Sequence, residues 1–352
     1  MRKKGFGFFV AGSWGTALAS VLADNQCEVA LWTRSPDQAK EINELHSNVR
    51  FLKDIQLSSR IKATDSIQEA VEGAEAVILV APSGSMGEVA AKLSPLLKED
   101  VLLVHATKGF EMNTLQRMSR VIADAMPHYD SSNIVVLSGP SHAEEVIQKC
   151  PTTVVVASEN HSAAKQAQEL FINTYFRVYT NPDISGVEVA GALKNIIALG
   201  AGLSDGLGFG DNARAALITR GLAEMARLGV AMGGRPLTFA GLAGVGDLVV
   251  TCTSRHSRNW RAGYMIGQGK ALQDVLQEMG MVVEGVKTTK AAYTLSRQYG
   301  IEMPIADELY RVLFDNKSPK LAVEDLMGRG PTHELEEHID KVHTQWFGKP
   351  AP

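Results

Sequence analysis

Ala11-Gly12-Ser13-Trp14-Gly15-Thr16-Ala17-Leu18-Ala19 carries a glycine pattern at the junction of two elements. It follows a short apolar run over residues 6–10 and opens a helical pattern over 16–25, with Leu18, Val21 and Leu22 on one side. Glycines at a strand-to-helix junction permit a tight turn. They also let backbone amides at a helix N-terminus approach a pyrophosphate. The full dinucleotide-binding fingerprint is G-x-G-x-x-G. Gly12 and Gly15 stand in its second and third glycine places, and Val10 occupies the first. Gly5 and Gly7 make the first strand unusual, because glycine weakens strand interiors. Alone, the loop fits a phosphate cradle built on Gly12, Ser13, Trp14 and Gly15, and it fits an ordinary strand–turn–helix equally well.

The surroundings extend the pattern. Further apolar runs at 28–33, 76–81, 101–105 and 134–137 read as strands, with a further strand pair at 152–157 and 176–180. Helical segments at 36–45 and after the capping-box-like Asp65-Ser66-Ile67-Gln68 lie between them. Continuous apolar strands separated by helices predict a parallel sheet covered on both faces. From residue 187 onward the periodicity is helical, as over 213–228 and 272–279. The expected architecture is an α/β, Rossmann-type, doubly wound domain over 1–181, followed by an all-α substrate and catalytic domain over 182–340. Residues 341–352 are polar, end in proline, and read as a frayed tail.

The chain has 352 residues, 45% hydrophobic and 21% charged, which suits a globular protein with a large core. A net charge of −4 offers no bulk attraction to nucleic acid or anionic lipid, so an anionic ligand needs local Lys or Arg. Cys27, Cys150 and Cys252 are far apart and odd in number, which implies neither a disulfide framework nor a zinc pattern. No metal is expected. Arg2-Lys3-Lys4 before an apolar run imitates a signal peptide, but Gly12-Ser13-Trp14-Gly15-Thr16 interrupts that run. A cytoplasmic protein without a membrane span is expected. After the second strand, Thr33-Arg34-Ser35 offers an arginine where NAD-specific sites carry an acid. That favours the 2′-phosphate of NADPH over NADH, although surface arginines are common.

Lys194 is the candidate acid–base group from the residues themselves. It lies in an otherwise apolar helix, with Ala190 and Gly191 one turn earlier to leave room for a ligand above the ammonium. Burial there lowers a lysine pKa toward the working range. The competing reading is a lysine snorkelling to the surface from a core helix. Ser141 reads as a helix N-cap with Glu144 completing a capping box. Asp247 reads as a helix N-cap before Leu248, and Ser257-Arg258-Asn259 precedes a helix expected near Trp260.

The following segments occur in this order: G-S-W-G-T-A-L-A at 12–19, T-K-G at 107–109, V-L-S-G-P-S-H-A-E-E from Val136, E-V-A-G-A-L-K-N-I-I-A from Glu188, G-D-N-A-R-A-A-L-I-T-R-G from Gly210, G-V-G-D-L-V-V-T-C-T-S from Gly244, S-R-N at 257–259 and V-V-E-G at 282–285. In this combination the chain closely resembles the bacterial NAD(P)-dependent glycerol-3-phosphate dehydrogenases from about residue 8 to 335, departing at Val10. The resemblance implies reversible, NADPH- or NADH-dependent reduction of dihydroxyacetone phosphate to sn-glycerol 3-phosphate, feeding phospholipid synthesis, in a homodimer. It makes Lys194 the proton donor, and Lys108 a contact to both substrate and cofactor. It gives substrate contacts to Gly139, Ser141, Asn195, Asp247 and Ser257, and the phosphate to Arg258 and Asn259. It gives cofactor contacts to Ala143, Arg258, Val282 and Glu284. Two other readings compete. One is a related dehydrogenase acting on another hydroxy acid, of the 3-hydroxyacyl or 6-phosphogluconate type. The Ser257-Arg258-Asn259 motif and the lysine-based site argue against its acyl version. The other is a nucleotide-binding protein without turnover, motivated by Val10.

Overall fold

The computed structural model of the chain describes residues 5–280, 282–331 and 334; the expected tail at 341–352 lies outside them. The strands β1 (Gly5–Phe9), β2 (Glu28–Trp32), β3 (Ile61–Thr64), β4 (Ala74–Leu79), β5 (Leu102–His105), β6 (Ile134–Ser138), β7 (Thr152–Ala157) and β8 (Phe176–Asn181) form one sheet. Its order is β3-β2-β1-β4-β5-β6-β7-β8. β1 has β2 on one side and β4 on the other, so the winding direction reverses between β1 and β4. In open α/β sheets, ligands bind in the crevice outside the carboxyl ends of the strands at such a switch point.

β1 to β6 are mutually parallel, but β7 runs antiparallel to β6, with β8 parallel to β7. This corrects the expectation of an all-parallel sheet. The β6–β7 connection holds one five-residue helix, α6 (Ala143–Ile147). That helix spans ~7.5 Å, too little to run back along a strand of ~17 Å and return the chain to the sheet's amino edge. β3 went unrecognised in the sequence because it has only four residues and Lys62 faces outward from an edge strand.

The sheet is covered by α1 (Ser13–Asp24), α2 (Pro36–Leu45), α3 (Ile67–Val71), α4 (Met86–Leu93), α5 (Met118–Ala125), α6 and α7 (His161–Phe171). α3 starts at Ser66, whose hydroxyl accepts from the Glu69 amide, so a helix begins where the capping pattern indicated. The helical half holds α8 (Ile184–Gly206), α9 (Asp211–Ala231), α10 (Pro236–Phe239), α11 (Asp247–Thr253), α12 (Arg258–Gly267), α13 (Leu272–Met279), α14 (Glu284–Tyr299), α15 (Pro304–Phe314) and α16 (Pro319–Met327). α8 is apolar nearly all round and buried from Gly186 to Ser204, as such a helix must be. It packs on α9, α11, α12 and α14, and also on β6, so one continuous core joins the sheet to the helices. Two segments, Ile184–Gly206 and Pro236–Thr253, are long and apolar enough to cross a membrane by composition. In the first, 94% of the most apolar window is buried inside the protein, so its apolarity is spent on this core.

Candidate active site

The central arrangement is a carboxylate held between two ammonium groups. Lys194 Nζ, on α8, donates to Asp247 Oδ1 at 2.5 Å and to Thr251 Oγ1 at 2.7 Å. Lys108 Nζ, three residues beyond β5, donates to Asp247 Oδ2 at 2.6 Å and to the Gly139 carbonyl at 3.4 Å. Gly139 follows β6, so the cluster sits at the carboxyl edge of the sheet. The Lys194 side chain is 6% exposed, which settles the choice against snorkelling. Burial pushes its pKa down; Asp247 opposes that and Lys108 adds to it, leaving it near 8. Burial alone would raise the Asp247 carboxyl, but Lys108 and Lys194 more than offset this and hold it below the ordinary carboxylate range. Two lysines and one aspartate leave net positive charge in a water-poor pocket, which suits an anion or a developing alkoxide.

Gly191 has a different use from the one its spacing suggested. A Cβ there would meet Ser138 Oγ at 3.0 Å and the Lys108 stem at 3.6 Å, so the missing side chain makes room for Lys108. Ser141 also departs from expectation. Its hydroxyl donates back to the Gly139 carbonyl at 2.9 Å, and α6 starts at Ala143 with His142 as N-cap and no side-chain cap. The proposed Ser141–Glu144 capping box therefore does not form: the hydroxyl is engaged on its own turn, and the helix begins too late. Ala143 is buried at the start of that helix.

A second group lies alongside. Asn195 Oδ1 accepts from Asn259 Nδ2 at 2.8 Å, and Asn259 Oδ1 accepts from the Gly285 amide at 2.8 Å. Ser257 is the N-cap of α12, accepting from the Trp260 amide, so the helix starts at Arg258 rather than near Trp260. Arg258 is exposed at this N-terminus. Glu284, first residue of α14, accepts from Ser83 Oγ at 3.3 Å, and burial raises its pKa. Val282 lies in the loop before α14, 40% exposed.

The phosphate-loop residues lie at the start of α1, beside the switch point. Gly12 caps α1, and a Cβ there would meet nothing within 4 Å. A Cβ on Gly15 would sit 2.4 Å from the Val10 carbonyl oxygen, so only glycine fits. Val10 takes φ 79°, the left-handed conformation that the missing first glycine would adopt freely. The Ser13 hydroxyl donates to the Phe51 carbonyl, and Trp14 is half-buried. Arg34 follows β2, with Nη2 3.5 Å from Glu88 Oε2 and its guanidinium over the Trp32 ring. Ser35 caps α2 directly after it. The open Gly12 turn suits a dinucleotide phosphate. Near the lysines, Ser138 Oγ and His142 Nε2 are buried without a protein partner and so suit a polar ligand. Burial, then Lys194 and Lys108, lower the His142 pKa.

Sequence reasoning overlooked two parts. Thr251 lies one turn after Asp247 on the same face of α11, a D-x-x-x-T spacing that could have signalled it. Glu188 anchors α8: Oε1 accepts from the Ser119 amide at 2.6 Å and lies 3.1 Å from His105 Nε2, while Oε2 accepts from Arg117 Nη1 at 2.5 Å and Ser119 Oγ at 2.6 Å. Burial would raise its pKa, but His105, Arg117 and Ser119 hold it near 2. A lone carboxylate in an apolar helix was its only visible signal.

Known proteins resemble the chain over most of its length. The model of the NAD-dependent glycerol-3-phosphate dehydrogenase N-terminus matches residues 6–164, and that of the C-terminus matches 183–324. The Glycerol-3-phosphate dehydrogenase [NAD(P)+] of Bacillus subtilis is 56% identical over 335 residues, 95% of this chain and 97% of that protein. That of Geobacillus kaustophilus is 56% identical over 328 residues, 93% and 95% of the two chains. A crystal structure of glycerol-3-phosphate dehydrogenase from Coxiella burnetii superposes with TM-score 0.88 at 38% identity, covering 93% of this chain and 99% of the other.

Proposed function

The chain belongs to the NAD-dependent glycerol-3-phosphate dehydrogenases, and from that premise we propose that Lys194 is the acid–base group of its reaction. The enzyme reduces dihydroxyacetone phosphate to glycerol 3-phosphate with NAD(P)H. The bound nicotinamide supplies the hydride for the substrate's carbonyl carbon. Lys194 in its ammonium form delivers a proton to the carbonyl oxygen, and as the amine it takes that proton back in the reverse direction. Asp247 orients both lysines, and Lys108 adds a second positive charge where the oxygen turns negative. Arg258 at the N-terminus of α12 holds the phosphate. Asn259 helps with the Nδ2 hydrogen that Asn195 does not take, and Ser257 supports them by capping the helix. Gly139, Ser141 and Asn195 line the substrate. Gly12, Ser13, Trp14, Gly15, Lys108, Ala143, Arg258, Val282 and Glu284 surround the cofactor.

The Lys194–Asp247–Lys108 cluster is the observation that carries this reading. Lys194→Ala is expected to lower kcat about 10²- to 10⁴-fold with little change in cofactor Kd. A pKa near 8 implies that kcat/KM for reduction falls as pH rises through about 8, because the acid form is lost, while oxidation rises over the same interval. A variant with near-normal turnover would refute the role.

Arg34 beside the capped start of α2 supports a 2′-phosphate contact and hence a preference for NADPH. Arg34→Asp should weaken NADPH about tenfold more than NADH; equal losses in a cofactor titration count against the contact. We divide the chain at residue 182 into a dinucleotide-binding domain, 1–181, and a helical substrate and catalytic domain, 182–340, with the site built from residues of both. A cytoplasmic homodimer that supplies phospholipid synthesis completes the proposal. Cell fractionation, light scattering and isotope tracing into lipid test those three parts.

A further inference from the structure

Val10 stands where the fingerprint would have glycine, and it holds φ 79°. A strained backbone persists only where its surroundings over-determine it. The Gly12 amide donates to the Val10 carbonyl at 2.9 Å, which closes the turn but reaches no other element. The turn is tied to the rest of the domain through the next carbonyl, that of Ala11.

Two side-chain amides converge on that oxygen. Gln38, on α2, donates Nε2 to it at 2.7 Å, and Asn48, in the loop after α2, donates Nδ2 to it at 3.1 Å. The same Gln38 nitrogen donates to Asn48 Oδ1 at 3.0 Å. Asn48 Nδ2 also donates to Thr16 Oγ1, in the first turn of α1, at 2.9 Å. Both N–H groups of Asn48 therefore go to the phosphate turn and its helix, and its oxygen goes to the second anchor. Gln38 Oε1 accepts from Thr33 Oγ1, beside Arg34, so the chain of bonds runs on to the loop after β2. The Ser13 hydroxyl on the Phe51 carbonyl at 3.1 Å ties the turn to the Asn48 loop once more. Asn48, Ala11 and Thr16 are buried, so water does not replace these bonds when a partner is lost. The Ala11 carbonyl and the Gly12 amide belong to one planar peptide unit. Holding the carbonyl therefore aims the amide at Val10 and fixes where α1 begins.

We propose that Asn48, with Gln38 as second anchor, is a positioning residue for cofactor binding: it clamps the Ala11 carbonyl and offsets the strain that Val10 puts into the phosphate turn. The inference rests on the reading of Gly12 to Gly15 as the cofactor's phosphate cradle. It makes the missing first glycine a difference that this chain compensates from α2 and the loop behind it.

Fluorescence titration of NADPH and NADH, beside steady-state kinetics, tests it. In Asn48→Ala the Kd of both cofactors should rise about tenfold. The kcat at saturating cofactor and the KM for dihydroxyacetone phosphate should change by less than about twofold. Gln38→Ala, at a half-buried position, removes one anchor and should raise Kd about threefold. In a Val10→Gly background, where the strain is absent, the loss from Asn48→Ala should shrink to about threefold. A general loss of stability would not be relieved at residue 10. The same comparison made with Gln38→Ala decides the matter should Asn48→Ala not fold. Unchanged cofactor Kd in both amide variants would overturn the proposal, and so would an undiminished loss in the Val10→Gly background. Gly15→Ala separates the clamp from the reading beneath it. Weakened cofactor binding there, with unchanged binding in Asn48→Ala, sinks the clamp alone; unchanged binding in both sinks the cradle as well.

Discussion

Two residues set the character of the site. A lysine is placed in the core only when a partner offsets its desolvation, and Lys194 has Asp247 and Thr251 within 2.7 Å. That pairing leaves the lysine pKa near 8 and not lower, so both protonation states are accessible near neutrality. Val10 carries the opposite kind of cost. A β-branched residue at φ 79° is strained by about 1–2 kcal/mol, and the turn retains it because the Gly12 amide donates to its carbonyl. The same carbonyl fills the space over Gly15. Gly15→Ala should therefore displace backbone, cost about 1–3 kcal/mol and weaken cofactor binding. Unaltered Tm together with unaltered NADPH affinity would show that the turn gives way without consequence. Gly12 and Gly15 were legible as sequence because their conformational role is local. The strain at Val10 was visible only as a missing glycine.

At the scale of elements, α8 does the positioning. Lys194 and Asn195 reach the site only if this helix keeps its rotation and height against β5 and α5. Glu188 sets both, bridging to His105 at the end of β5 and to Arg117 and Ser119 at the start of α5. Its removal strands a buried histidine and an arginine. Glu188→Ala is expected to lower the unfolding free energy by about 3–5 kcal/mol, and to reduce kcat by shifting Lys194. A loss under about 1 kcal/mol in urea titration would remove the clamp from the account. Several helices were readable from periodicity, and α13 spans Leu272–Met279 as its spacing indicated. Ser141 was misread because a serine beside a turn can cap the next helix or close its own turn. Here the Gly139 carbonyl wins the hydroxyl.

Over the whole molecule, the sheet and the helices share a core. Val77 and Leu103 of the sheet belong to the same buried cluster as Leu193 of α8 and Leu309 of α15. Two halves joined through a common buried helix should unfold together, so far-UV dichroism and tryptophan fluorescence are expected to report one coincident urea transition. Two separated midpoints would contradict the shared core. The alternation of strands and helices, the phosphate turn, the change of pattern near residue 182 and an isolated lysine in an apolar helix are all written in the order of the residues. Each is a local pattern, written within one or two turns or strands. Tertiary structure alone decided the antiparallel β7, the use of Gly191 for Lys108, and the bond from Lys108 to Asp247, 139 residues away, by which one carboxylate joins two lysines. Periodicity states which face of an element is buried. It does not state which distant side chain will meet that face, because that depends on how the layers close over one another.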